Sequence, residues 1–198
     1  MDKREAILKG VLKLVNREGF YHLNMKKIAQ EAGVAAGTIY LYFKGKEDLI
    51  NALYAMIVTE FNNNVLEGYV EGRSVKENFY TMLNNAIEFY MNDADQFSFI
   101  EQYTYAPFLF KENQEENFLL LLPIYKMMRE GKKHGLVKNI PDAVLLSLIH
   151  GPMNTIIKLH LAHKTDLNKK GAKQKFYDAV WNSITMWVLR LKDQFLWS

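Results

Sequence analysis

One short stretch of the chain, residues 24–49, restricts the possible folds more than any other. It reads NMKKIAQEAGVAAGTIYLYFKGKEDL, with Gly33 between two short helical patterns. Ile28 faces inward from the first pattern, and Ile39 and Phe43 lie one helical turn apart in the second. Because glycine enters tight turns that other residues resist, this stretch predicts two short helices joined by a short turn, the helix-turn-helix arrangement.

The rest of the chain also reads as helix. Apolar residues recur at three- to four-residue spacing, and no segment shows convincing strand alternation. We predict an all-α fold of about nine helices: a three-helix helix-turn-helix domain over residues 1–47 and a C-terminal helical domain over residues 48–198. The last helix is expected to span residues 173–196, and Gly151-Pro152 is expected to interrupt the helix before it.

The second helix of a helix-turn-helix unit lies in the major groove of DNA, with its first turn at the base edges. Its outward positions in this sequence are Ala35, Ala36, Gly37, Thr38, Tyr40 and Tyr42. The hydroxyl groups suit phosphates, a tyrosine ring suits a thymine methyl group, and the small residues allow close approach. Lys46, at the start of the next helix, is well placed for a phosphate. The alternative is that both tyrosines are partly packed structural residues.

The distribution of charge also points to the N-terminal end of the chain as the part that binds DNA. Residues 1–50 hold nine Lys or Arg against six Asp or Glu, and this excess of three equals the net charge of +3 of the whole chain. A local basic excess is typical of a phosphate-binding module, although an excess of three is small. The charge pattern alone therefore carries little weight.

The same residues carry a resemblance to a known family. Ile28 to Leu49 fits IAxEAGVxxGTxYxYFxxKEDL, which resembles the signature of the TetR family of transcriptional regulators. The similarity covers roughly residues 5–50, including a preceding helix that ends at Gly19-Phe20. The resemblance implies a dimeric DNA-binding transcription regulator of the cytoplasm, usually a repressor, whose C-terminal domain varies among members.

Position by position, the resemblance assigns further roles. It implies that Asn24 caps the second helix and can touch a phosphate, that Thr38, Tyr40 and Tyr42 contact DNA, and that Lys46 binds a phosphate. Ala35 and Ala36 depart from the family, in which one or both positions are often polar or basic. Lys26 and Lys27 are expected to supply affinity for the DNA backbone instead, unless they are only a solvated face.

A homodimer is the second expectation, because two long C-terminal segments are apolar over more than one face. The residues predicted for this interface are Ile149, Met153, Ile156, Val180, Ile184, Trp187 and Leu191. The alternative is that these stripes face only the core of their own subunit.

A pocket for a small hydrophobic effector is the third expectation, because aromatic residues are dense between residues 97 and 110. The candidate lining is Phe79, Phe89, Phe99, Tyr103, Phe108, Phe118, Tyr125, Met128 and His150. The same residues can equally form a filled core. We predict a repressor that such a ligand releases from a palindromic operator; the alternative is a related DNA-binding protein controlled by a protein partner.

Other classes of protein fit poorly. The chain has no cysteine, its longest apolar runs are too short to span a bilayer, and it has no signal-peptide pattern, so we expect a cytoplasmic protein without membrane association. His160 and His163 are spaced to share a metal, but no acidic or cysteine ligand completes a set nearby. With no phosphate loop or nucleophile motif, we expect no enzyme activity, no cofactor and no metal.

Overall fold

The fold is all-α. A computed structural model describes residues 2–113 and 122–186, and the helices within those ranges agree with the predicted class and number. They are α1 (Lys3–Glu18), α2 (Met25–Ala32), α3 (Ala36–Tyr40), α4 (Lys46–Leu66), α5 (Val75–Asn92), α6 (Ala94–Tyr103), α7 (Leu122–Lys133), α8 (Asp142–Leu161) and α9 (Ala172–Ile184), with a 3-10 turn at Phe20–His22. The described residues form no strand beyond an isolated bridge between Val137 and Thr185.

The described chain divides into two compact units. The first contains the described residues of 1–69 and 81–122, and the second contains those of 70–80 and 123–186. The predicted domain boundary after residue 47 lies in the first turn of α4, which continues unbroken to Leu66. That boundary stays a prediction.

A single apolar core holds the first unit together. Leu8 and Val11 of α1, Ile39 of α3 and Leu53 of α4 are fully buried in it, and so is Phe99 of α6. Burying side chains of this size stabilises a fold by about 1.5–3 kcal/mol each before entropy is counted. Helix α1 therefore packs on the long helix α4 and on α6, while α2 packs on α1 and on α3.

The second unit is built around the start of α5 and around α7, α8 and α9. Phe79 packs on Trp181 with ring centroids 5.3 Å apart, and the Tyr80 hydroxyl donates a 2.5 Å hydrogen bond to Asp178. At Gly131 of α7 a Cβ atom would lie 2.4 Å from Val137, so only glycine allows this close approach. These contacts tie α9 to the start of α5, and α7 to the segment that follows it.

Two helix predictions in this unit were wrong. Helix α8 runs continuously through Pro152 from Asp142 to Leu161. Helix α9 ends at Ile184, because Thr185 is extended (φ −99°, ψ 157°) and bridges to Val137. The predicted continuation beyond Met186 lies outside the described residues.

Within the described parts of the chain, no helix combines the length and the apolar character that crossing a membrane requires.

Candidate nucleic-acid interface

Helices α2 and α3 meet at a turn that the backbone fixes. Asn24 caps α2, its side-chain oxygen accepting a 2.9 Å hydrogen bond from the Lys27 amide. Gly33 ends α2 in the left-handed conformation (φ +66°, ψ 33°), and the Val34 amide donates to the Ala29 carbonyl at 3.0 Å. The chain therefore turns sharply into α3, as the sequence predicts.

Helix α3 packs against the core by one face and exposes the other face to solvent. Ile39 and, just beyond the helix, Phe43 are buried in the core of the first unit. On the opposite side Ala35, Ala36 and Gly37 are exposed, Thr38 is half-buried, and the exposed fractions of Tyr40 and Tyr42 are 60% and 41%. The predicted outward residues thus share one accessible surface, which we call the α3 face (residues 35–38, 40 and 42).

Leu41 also belongs beside this surface, with 80% of its side chain exposed. The sequence gives no sign of this exposure, since an apolar residue between two tyrosines reads equally well as core. It is exposed because α3 ends at Tyr40 and the following residues form a turn. No residue from 35 to 43 is charged, so the α3 face offers hydroxyl and apolar groups.

The two lysines at the start of α2 differ in their surroundings. Lys26 is exposed and has no ion-pair partner among the described residues. The Lys27 ammonium is bound to the Glu18 carboxylate, which Arg17 also contacts at 3.3 Å. The hydrogen bond from Lys27 is the main reason that the pKa of Glu18 lies below its usual value. Lys26 is therefore the freer of the two cations.

Lys46 is the first residue of α4 and is half-buried. Its ammonium nitrogen lies 4.7 Å from the centre of the Phe20 ring, within the range of a cation–π contact. The other candidates lie nearby along the chain, on α2 and on the α3 face. The first unit therefore carries an uncharged recognition surface and two candidate phosphate-binding lysines, Lys26 and Lys46.

We predict different effects of removing the two neighbouring lysines. Lys26→Ala is expected to lower the slope of log affinity for DNA against log salt by about 0.9 for each bound chain, because a free lysine that binds a phosphate releases one counterion. Lys27→Ala is expected to change the slope less, since Glu18 already neutralises that ammonium. Fluorescence anisotropy at four salt concentrations measures both slopes. Equal slopes for the two variants would contradict the assignment.

Comparison with known sequences bears directly on this arrangement. A family model described as "Bacterial regulatory proteins, tetR family" matches residues 7–53. A second model, "Tetracyclin repressor-like, C-terminal domain", matches residues 54–186, which is more than half of the chain. The chain belongs to the TetR family. TetR-family proteins are DNA-binding transcription regulators, so the helix-turn-helix of this chain is a DNA-binding unit.

Individual relatives agree with this membership over parts of their length. The chain is 34% identical over 106 residues to an uncharacterised HTH-type transcriptional regulator of Haemophilus influenzae, and 36% identical over 75 residues to the fatty acid metabolism regulator protein of Bacillus subtilis. The matched stretches span 57% and 39% of those two proteins. A solved structure, FadR from Bacillus subtilis in complex with stearoyl-CoA, shares the fold of this chain over nearly its whole length. That structure is 20% identical, with a TM-score of 0.72, and the match covers 91% of this chain and 98% of that one.

The structure distributes the predicted pocket residues of this TetR-family chain over both units. In the first unit Phe99 and Tyr103 are buried in the common core, and the half-buried Phe108 packs against it. Phe89 is half-buried and packs edge-on against Phe61 at 5.5 Å. Phe99, Tyr103 and Phe108 therefore fill a core together with α1 and α4.

The remaining pocket candidates lie in the second unit, except Phe118, which is outside the described residues. Phe79 and Met128 are buried there, and Tyr125 is half-buried. His150 has an exposed side chain, yet surrounding protein atoms desolvate it and lower the pKa of its imidazole. The described residues do not test a pocket in this unit, which stays a prediction.

The predicted interface residues divide in a similar way. Met153, Val180 and Ile184 are buried within the subunit itself, so they contribute to its own core and present little surface to a partner. Ile149 and Ile156 are half-buried. Trp187 and Leu191 lie outside the described residues.

The exposed side of α8 differs from the side that carries the predicted interface residues. Val144, Ser147, Gly151, Thr155 and Leu159 are exposed at three- to four-residue spacing, and we call this surface the α8 face. The Ser147 and Thr155 hydroxyls donate to carbonyl groups of α8 itself, at 2.7 and 2.9 Å. With those hydroxyls satisfied, the α8 face presents small and apolar groups outward, together with the exposed Lys158, which lies on the same side of the helix.

Proposed function

We propose that this TetR-family chain is a repressor that binds a palindromic operator as a homodimer and is released by a small hydrophobic ligand. The observation that carries the proposal is the α3 face, an accessible and uncharged surface next to Lys46 at the start of α4. Tyr40, Tyr42 and Thr38 supply hydroxyl groups for phosphates, and the tyrosine rings supply apolar contact for thymine methyl groups.

The homodimer in this proposal uses the α8 face. Small side chains let two helices approach closely, and Val144 and Leu159 add apolar area that is more than 40% exposed in the single chain. A second copy of the same helix, related by a twofold axis, would bury this surface. Two DNA-binding heads about one helical turn of DNA apart (~34 Å) then match an inverted repeat.

The effector in this proposal carries a long apolar chain. FadR from Bacillus subtilis, which has the same fold, binds stearoyl-CoA, and the second relative is a fatty acid metabolism regulator. A long-chain acyl-CoA is therefore the first compound to test. In the proposed mechanism the ligand binds the DNA-incompetent state more tightly, so binding shifts the population away from the operator-bound form.

The test is a titration of labelled DNA taken from upstream of the gene, beside an unrelated duplex. The proposal expects selective binding of two chains per site, lower transcription in vitro from that promoter, and release of the DNA by acyl-CoA. Increased transcription would contradict repression. Selective binding that no acyl-CoA or free fatty acid weakens would instead favour the second candidate, a DNA-binding protein controlled by a protein partner.

We also predict the contribution of a single tyrosine of the α3 face. Tyr42→Ala is expected to weaken operator binding by ~1–3 kcal/mol without unfolding the chain, because Tyr42 is 41% exposed and outside the core, and its loss removes one good contact. Tyr105→Ala is the matched control, as Tyr105 is 95% exposed in the same unit but lies outside the α3 face. Equal operator affinities for the two variants would remove Tyr42 from the interface.

A further inference from the structure

The Phe20 ring has a neighbour on each side. The Phe108 ring stacks on it with centroids 3.9 Å apart and planes 17° from parallel. The Lys46 ammonium lies over the same ring at 4.7 Å. Because a ring stacked at this distance leaves no room for an ammonium group on the same side, Phe108 and Lys46 occupy opposite faces of Phe20.

Hydrogen bonds hold the residues around this stack in place. The Phe20 amide donates a hydrogen bond to the Tyr103 hydroxyl at 3.3 Å. The Asn51 side chain of α4 donates to the Phe108 carbonyl at 2.9 Å and accepts from the Phe110 amide at 2.7 Å. We call residues 103–110 the support segment, because Tyr103 accepts a hydrogen bond from the Phe20 amide and Phe108 stacks on the Phe20 ring.

We propose that Phe108 is a positioning residue for the DNA contact of Lys46. The inference rests on the proposed role of Lys46 as a phosphate-binding residue. The support for Lys46 comes from a segment that lies more than 50 residues further along the chain. Phe108 fixes the plane of Phe20, and Phe20 fixes the ammonium that is presented to DNA. The position of the support segment therefore affects how strongly the helix-turn-helix domain binds the phosphates of DNA.

The physical reason is the flexibility of lysine. Its four-carbon side chain samples many rotamers in water, and a contact that holds the ammonium removes part of that freedom before DNA arrives. The Phe20 ring provides such a contact only while its plane is fixed. If Phe108 moves away, Phe20 can tilt into the vacated space, and the Lys46 ammonium loses the face on which it rests.

The direct test uses the full chain and needs no DNA. Ring currents of Phe20 should shift the ε-methylene NMR signals of Lys46. Phe108→Ala and Phe108→Leu are expected to move those signals toward ordinary lysine values, since neither replacement can stack. Phe110→Ala is the matched control, because Phe110 is on the same segment but exposed. Unchanged Lys46 signals in folded Phe108 variants would overturn the proposal.

Operator binding provides the second measurement. Phe108→Leu and Lys46→Ala are each expected to lower the salt slope by up to about one per subunit, and the double variant should lose no more than Lys46→Ala alone. Full additivity of the two changes would overturn the positioning role. If the wild-type chain binds no duplex selectively, the proposed function fails, whereas the NMR comparison still decides whether Phe108 positions Lys46.

Discussion

Asn51→Ala is expected to lower the free energy of unfolding by ~3 kcal/mol or more. The Asn51 side chain is 3% exposed and makes hydrogen bonds to four groups: the Glu47 and Phe108 carbonyls, the Phe110 amide and the Asn113 side chain. Alanine removes the partner of the Phe108 carbonyl and of the Phe110 amide, and each buried unsatisfied group costs about 1–3 kcal/mol. Urea unfolding monitored by circular dichroism measures the loss.

The same helix offers a matched control for this change. Asn64 is exposed and donates a 2.8 Å bond to the Glu60 carbonyl, the same i−4 bond within α4 that Asn51 makes to Glu47. Asn64→Ala is therefore expected to change the free energy of unfolding by less than about 0.5 kcal/mol. If both variants were equally stable, the bonds from Asn51 to residues 108–113 would contribute nothing to the fold.

Gly151→Glu is expected to separate the dimer and to weaken operator binding by about 100-fold or more. Apart from the backbone of α8 itself, a Cβ atom at Gly151 meets no atom of the described residues within 4 Å, so these residues leave room for the change. A charged side chain on the α8 face would, however, be removed from water in a symmetric interface, and the cost of desolvating it can exceed what an ion pair with the nearby Lys158 returns. Each released subunit could then hold only one half-site, and the gain from two linked contacts would be lost.

Sedimentation equilibrium measures the oligomeric state of this variant, and an anisotropy titration measures its affinity for the operator. Asn139→Glu adds the same charge at an exposed position outside the helices and should leave both properties unchanged. A Gly151→Glu chain that remains a dimer would place the interface elsewhere than on the α8 face.

The helix-turn-helix was predictable because its determinants are local. A left-handed glycine at position 33, an N-cap at Asn24 and two apolar residues one turn apart fix both helices within 20 residues. The TetR-family signature follows the same residues. Both the fold class and the position of the α3 face could therefore be predicted from the sequence.

The packing partners of the longer helices could not be predicted in the same way. The apolar stripes of α8, which contains Met153, and of α9, which contains Val180 and Ile184, have the same periodicity whether they face their own core or a second subunit. Only the structure shows these three residues buried within the chain. Similarly, the periodicity of α9 does not reveal that Thr185 leaves the helix to pair with Val137.

Contacts between distant residues explain the remaining differences. The aromatic residues near Phe108 suggest a ligand pocket until Phe20, 88 positions earlier in the chain, is placed against them. The pairing of Lys27 with Glu18 likewise depends on how α1 and α2 meet. Spacing along the sequence carries no information about such pairs.

Selection of duplexes from a random-sequence pool by the purified chain tests the central claim most directly, because it assumes nothing about the location of the operator. We expect the enriched sequences to share an inverted repeat whose half-sites are centred about one helical turn apart, and we expect Tyr42→Ala to enrich them less. Recovery of no common motif, or of a single half-site without its repeat, would contradict a dimer that reads DNA with the α3 face.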